Sequence, residues 1–137
     1  MTKLWLAPVV FALLGCHASA RHDAPVASPK VVTVPEVATW VRQHSATLLD
    51  ANSPETRREY GIVPRASLLS GSRDYPVGEL PVDRTRKLVF YCGGIMCRAS
   101  DAAAARAIGF GYQDVNIIRA GIRGWKTAGE PTDLPSS

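Results

Sequence analysis

Cysteine is scarce in this chain of 137 residues, where it occurs only at positions 16, 92 and 97. Three cysteines cannot build the dense disulfide framework of small secreted scaffolds, so the folded part has to be held by an apolar core. A strong charge of either sign is also missing: 16 Lys and Arg face 12 Asp and Glu, a formal net charge of +4, and no basic run occurs. Without basic runs, aromatic–basic interleaving or a nucleic-acid motif, this charge reads as weak attraction for small anions, not as a nucleic-acid surface. There is no internal repeat, no glycine-rich dinucleotide fingerprint and no phosphate-loop lysine motif, so the sequence calls for no nucleotide cofactor. Nor does it call for a metal: Cys92 and Cys97 lie close together without a histidine, and His17 and His22 are isolated in a polar stretch. The length suits one domain around one core.

The only long apolar run is Leu4 to Leu14, preceded by Lys3. It has the proportions of a secretory signal peptide and is short for a transmembrane helix. It ends in Leu13-Leu14-Gly15-Cys16, which resembles the lipobox of bacterial lipoproteins. That resemblance implies that residues 1–15 are removed and that Cys16 becomes the first mature residue. Its acyl chains, palmitate among them, would then anchor the protein stably in a membrane. His17, standing where an aspartate would signal inner-membrane retention, implies a place at the outer membrane facing the periplasm. Residues 16–30, rich in Ala, Ser, Pro and His, read as the lipidated residue and a flexible tether.

From residue 31 to 131 short β-rich runs alternate with helical stretches, which predicts an α/β domain with a mainly parallel sheet flanked by helices. Strands are expected at Val31–Thr33, Ala46–Leu49, Ala66–Leu69, Leu88–Tyr91 and Val115–Ile118. Helices are expected from Pro35 to His44, from Pro54 to Tyr60 with Ser53 as N-cap, from Asp101 with Ser100 as N-cap, and from Gly121 to Ala128. Val37, Trp40, Val41 and Trp125 belong to the expected core. His44 is expected to complement the carboxyl end of its helix, and Gly109 to end the third helix in the left-handed conformation. Residues 70–83 read as irregular apart from a short helical turn, and residues 132–137 as a polar tail.

The stretch Leu88 to Ser100, Leu-Val-Phe-Tyr-Cys-Gly-Gly-Ile-Met-Cys-Arg-Ala-Ser, concentrates the chemistry. A buried strand feeds a loop that opens with Cys92 and runs into a helix. A cysteine there lies near unpaired N–H groups and the positive end of a helix dipole, which favours its thiolate. Ligands of parallel sheets bind outside the carboxyl ends of strands, where this cysteine falls.

Four segments together resemble the single-domain rhodanese family: Leu48-Leu49-Asp50 with the acidic helix after it, Gly61-Ile62-Val63-Pro64-Arg65-Ala66, Val89-Phe90-Tyr91-Cys92, and Gly121-Ile122-Arg123-Gly124-Trp125 with Ala128-Gly129-Glu130-Pro131. The resemblance implies a three-layer α/β domain and a sulfurtransferase. Cys92 would take sulfane sulfur from a small sulfur-containing anion such as thiosulfate, form a persulfide and pass the sulfur to a thiol or cyanide-like acceptor. The backbone of Gly93, Gly94, Ile95, Met96, Cys97 and Arg98 would cradle the anion. Asn52 stands where many members carry an arginine. Ser100 lies eight residues after Cys92, a longer loop than the commonest form, and Cys97 makes it look like the variant with a second cysteine. Cys97 is then either a resolving thiol or a small residue packed under the loop, and Asp50 a structural acceptor. Two alternatives stay open: a non-enzymatic sulfur- or redox-responsive module of the envelope, and a Cys-x5-Arg phosphatase or arsenate reductase in which Arg98 clamps the oxyanion.

Overall fold

In a computed structural model, residues 1–2 and 27–135 are described; residues 3–15 of the expected signal peptide, Cys16 and the expected tether as far as residue 26, with His17 and His22, lie outside them. The elements run β1 (Lys30–Val32), α1 (Val34–Arg42), β2 (Thr47–Asp50), α2 (Pro54–Tyr60), β3 (Ser67–Leu68), a single 3-10 turn at Val77–Glu79, β4 (Leu88–Tyr91), α3 (Ala99–Gly109), β5 (Val115–Ile118) and α4 (Gly121–Thr127). The strands form one sheet in the order β1-β5-β4-β2-β3, and every pairing is parallel. Such a sheet must be covered on both faces. Accordingly β4 and β5 are buried at every position.

Strand alternation divides the core in two. Leu49, Leu88, Phe90 and Ile117 face α3, packing with Ala103, Ala104, Ala107, Tyr75 and Tyr112. Leu48, Val89, Tyr91 and Ile118 face the other way, onto α1 and α4, with Val37, Val63, Ile122 and Trp125. The alanines of α3 are what let that helix lie close to the sheet. Trp125 is buried and its indole N–H donates to Pro131 O at 2.7 Å. Trp40 is only partly buried, its ring capped by Lys87 Nζ 3.9 Å from the centroid.

Helix ends differ from the expectation in three places. Ser53 caps α2 as expected, accepting from Thr56 N. Ser100, however, is the second residue of α3, whose N-cap is Arg98. Gly109 stays helical, and Gly111 takes the left-handed conformation instead, with φ +92°. The amides of Gly111 and Tyr112 return to Ile108 O and Ala107 O, the paired bonds of a Schellman ending. His44 occupies the same position after α1, at φ 53°, with His44 N and Ser45 N bonded to Val41 O and Trp40 O. It thus lies just past the end of α1, not as its last residue, and its Nε2 stands 3.1 Å from Arg65 Nη1.

The C-terminal segment is tied to the domain by an antiparallel bridge between Ile62 and Asp133. Gly61, at φ +78°, lies where a Cβ would come 2.9 Å from Asp133 O. Among the described residues no helix is long and apolar enough to cross a membrane.

Candidate active site

After β2 the chain moves outward to β3, and after β4 it moves the opposite way to β5. The crevice between the carboxyl ends of β2 and β4 is therefore the topological switch point of the sheet. Both walls of the candidate site begin there. Ala51 N, just past β2, donates to Tyr91 O at the end of β4, which holds the two exits side by side.

Asp50 builds the first wall. It is fully buried, and its Oδ1 accepts from Asn52 N at 2.7 Å and from Arg57 Nε at 3.1 Å. Arg57 Nη2 also donates to Asp50 O and Leu69 O, each at 2.9 Å, so one guanidinium from α2 ties together the ends of β2 and β3. Asp50 is thus the structural acceptor expected, and its arginine comes from α2, not from position 52. The neighbouring Tyr91 hydroxyl accepts from Val63 N at 3.0 Å. Burial, then the nearby Asp50 carboxylate, raise its pKa well above the ordinary phenol value and keep it neutral.

The second wall is the loop after β4. Cys92 is 2% exposed, and Ser100 Oγ stands 3.4 Å from its sulfur. This contact explains the misread N-cap: the hydroxyl serves Cys92 instead of the helix end. From Gly93 the loop doubles back in a tight turn closed by Cys97 N donating to Gly94 O at 2.9 Å. The turn brings the sulfurs of Cys97 and Cys92 together as a disulfide across Cα atoms 6.3 Å apart. Ile95 and Met96 sit at its tip, 69% and 88% exposed. Among the described residues, the N–H groups of Gly93, Gly94, Ile95 and Met96 donate to no other protein group.

The base of the loop rests on α4. Ile122 N donates to Cys92 O at 2.8 Å and Arg123 N to Gly93 O at 3.2 Å. Gly121 makes the approach possible. At φ +63°, a Cβ there would stand 2.4 Å from Cys92 O and 2.6 Å from Gly94 N.

Between the walls opens a cleft of about 730 Å³, lined by Asn52, Ser53 and Thr56 on one side, Gly93 to Cys97 on the second, and Arg123, Gly124 and Thr127 on the third. Arg123 is its cation, held with Cζ 4.8 Å above the Tyr60 ring. Arg98, expected in the anion-binding loop, does not line it. Its side chain is 73% exposed and turns outward to Asp101, 3.8 Å away. The reason is the turn itself, which spends Cys97 on returning to Cys92 and leaves Arg98 at the outer start of α3. Sequence reading missed Ser53, Thr56, Arg123 and Thr127. The Gly121–Trp125 segment was the available signal for Arg123, because a helix that begins against the loop must bring its first turn to the cleft.

The fold is an α/β domain with a buried, disulfide-bonded cysteine at the switch point of its parallel sheet, followed by four backbone N–H groups that donate to no described protein group, beside a cleft that holds one arginine. The chain belongs to the rhodanese family: residues 33–128 match the rhodanese-like domain. Comparison with curated proteins finds no match. Among solved structures, the fold is similar to a polysulfide-sulfur transferase homodimer from Wolinella succinogenes, with TM-score 0.64 and 16% identity over 76% of this chain and 77% of that one. A rhodanese-related protein from Thermoplasma volcanium aligns with TM-score 0.58 and 20% identity over 77% and 99% of the two chains. A possible tyrosine phosphatase from Rhodopseudomonas palustris gives TM-score 0.63 and 20% identity over 77% and 85%. At these identities the likeness establishes the fold.

Proposed function

We propose that this protein is a sulfurtransferase whose Cys92 thiolate carries sulfane sulfur as a persulfide, on a domain tethered by lipid on Cys16 to a bacterial envelope membrane facing the periplasm. The observation that carries the chemistry is the position of Cys92 at the switch point, beside the N-terminus of α3 and Ser100 Oγ. In the reduced protein that dipole end and hydroxyl stabilise the thiolate. The thiolate attacks the outer sulfur of a donor such as thiosulfate, the S–S bond of the donor breaks, and sulfite leaves with the bonding pair. The extra negative charge on the persulfide faces the free N–H groups of Gly93 to Met96, and Arg123 draws the anionic donor into the cleft. A thiol or cyanide acceptor then attacks the terminal sulfur and returns Cys92 as thiolate.

The phosphatase reading needs a guanidinium clamped on the oxyanion, and the outward turn of Arg98 favours sulfur transfer over it. The test is formation of thiocyanate from thiosulfate and cyanide by a parent full chain carrying Cys97→Ser, reduced, with Cys92→Ser added to it alongside. Activity in the parent that vanishes in Cys92→Ser is the expected result; equal rates in both would sink the proposal. Hydrolysis of a generic phosphoester by the same reduced protein would instead favour the phosphatase. For the tether, Cys16→Ser is expected to move the protein from the membrane to the soluble fraction. An unchanged distribution would remove the anchor.

A further inference from the structure

Resting on the reading of Cys92 as a persulfide carrier, we propose that the first acceptor of its sulfur lies in this chain: Cys97 discharges the persulfide as sulfide, and a dithiol from outside resets the loop through Cys97. The protein would then be a thiosulfate-reducing sulfurtransferase, coupled to a dithiol reductant and needing no cyanide-like acceptor.

The geometry carries the step. The turn closed by Cys97 N and Gly94 O places Cys97 Sγ on Cys92 Sγ, the position from which a thiolate attacks the inner sulfur of a Cys92 persulfide. A new bond forms between Sγ of Cys97 and Sγ of Cys92 while the bond from Cys92 to the terminal sulfur breaks. The terminal sulfur leaves with the electron pair and takes up the proton that Cys97 released on ionising, giving hydrosulfide. Two thiols have been oxidised to a disulfide and one sulfane sulfur reduced to sulfide, so the electrons balance within the loop. The loop is a five-residue closure already folded back on itself, so Cys97 attacks without the cost of bringing two molecules together.

Burial sets the direction of the reset. Cys92 is 2% exposed, whereas Cys97 is half-buried at the cleft rim. An outside thiolate therefore reaches Cys97 Sγ, and Cys92 leaves as the thiolate beside α3 and Ser100. The reductant's second thiol then attacks its own sulfur in the mixed disulfide, departs as a disulfide and frees Cys97. Over one cycle thiosulfate and a dithiol become sulfite, sulfide and a disulfide.

The experiment is a single turnover without added thiol. The full chain carrying Cys16→Ser, so that Cys92 and Cys97 are its only cysteines, is reduced, desalted under nitrogen and mixed with one equivalent of thiosulfate. The expected yield is one sulfite and one sulfide per chain, with an intact mass two hydrogens below the reduced protein. Cys97→Ser and Cys97→Ala should each release sulfite, release no sulfide and keep the mass of one added sulfur. If the chain with both cysteines also keeps that sulfur and releases no sulfide, the inference is overturned while the persulfide reading stands. If neither Cys97 variant gains sulfur, both fall. For the reset, the disulfide form is treated with glutathione and quenched by alkylation. Glutathione on Cys97 and the alkyl group on Cys92 are expected; the reverse labelling contradicts the direction proposed.

Discussion

Replacing Gly121 by alanine attacks the contact on which the loop rests. At φ +63° an alanine pays about 1 kcal/mol for the left-handed backbone alone. Its Cβ would also stand 2.4 Å from Cys92 O, where ordinary contact begins at 3.4 Å, and both neighbours are backbone atoms that cannot swing aside. Loop and helix therefore have to separate by about 1 Å, enough to cost roughly a hundredfold in kcat/KM through misplacement of Cys92. The same separation weakens the bonds from Ile122 N to Cys92 O and from Arg123 N to Gly93 O, at about 1 kcal/mol each. The total, about 3 kcal/mol, is a large share of a domain's usual ~5–15 kcal/mol. Gly129→Ala is the matched control, since Gly129 also sits in the left-handed region, at φ +78°, but nothing lies within 4 Å of its would-be Cβ. Denaturant unfolding should show Gly129→Ala losing about 1 kcal/mol, with thiocyanate formation intact. Gly121→Ala should lose about 2 kcal/mol more, and its sulfur transfer. Equal losses of stability in the two variants, or full activity in Gly121→Ala, would refute the reasoning.

Arg57→Met strands the buried Asp50 carboxylate and should destabilise the domain by about 3–5 kcal/mol in denaturant unfolding; adding Asp50→Asn should recover part of that loss, and no recovery would contradict the pairing. Arg123→Gln should raise KM for thiosulfate up to about fivefold, an effect of about 1 kcal/mol, with kcat nearly unchanged in steady-state assays. Arg98→Gln should leave thiocyanate formation unchanged, because the guanidinium faces solvent and Asp101; a collapse in rate would place it in the site after all. The hydrogen bond from Arg119 to Asp101 holds that carboxyl's folded pKa below its ordinary 3.8. The stabilisation is thus complete above the unfolded value and fades as pH falls through the lowered folded one. Stability of the parent and Asp101→Asn should differ at neutral pH and converge in acid, and a constant difference across that range would contradict the coupling.

Strand positions were legible because each buried strand is a compact run of β-formers. Leu88–Tyr91 and Val115–Ile118 match the expectation residue for residue, and the others differ by one position at each end. The helix ends were less so. Gly109 and Gly111 both satisfy the chemistry of a C-terminal glycine, and the choice between them is made by Tyr112, which must reach the core while its amide returns to Ala107. Ser100 carries good N-cap chemistry too, but the sulfur beside it decides its role. Cys92 was readable because strand, cysteine and helix are contiguous. Asn52, Thr56, Arg123 and Thr127 join it only through the sheet order, which brings segments distant in sequence to one crevice. Arg98 misled for the opposite reason: contiguity with the loop suggested a shared face, and the Gly94–Cys97 turn rotates it away.

The central claim is that sulfur rides on Cys92. The most direct measurement is to mix the reduced full chain carrying Cys97→Ser with thiosulfate radiolabelled in its outer sulfur, then map the label by peptide. The account predicts label on the peptide that carries Cys92, matched by an equal amount of sulfite and removed by cyanide as thiocyanate. A chain whose Cys92 remains free to alkylate, yet which takes up no label, would contradict it.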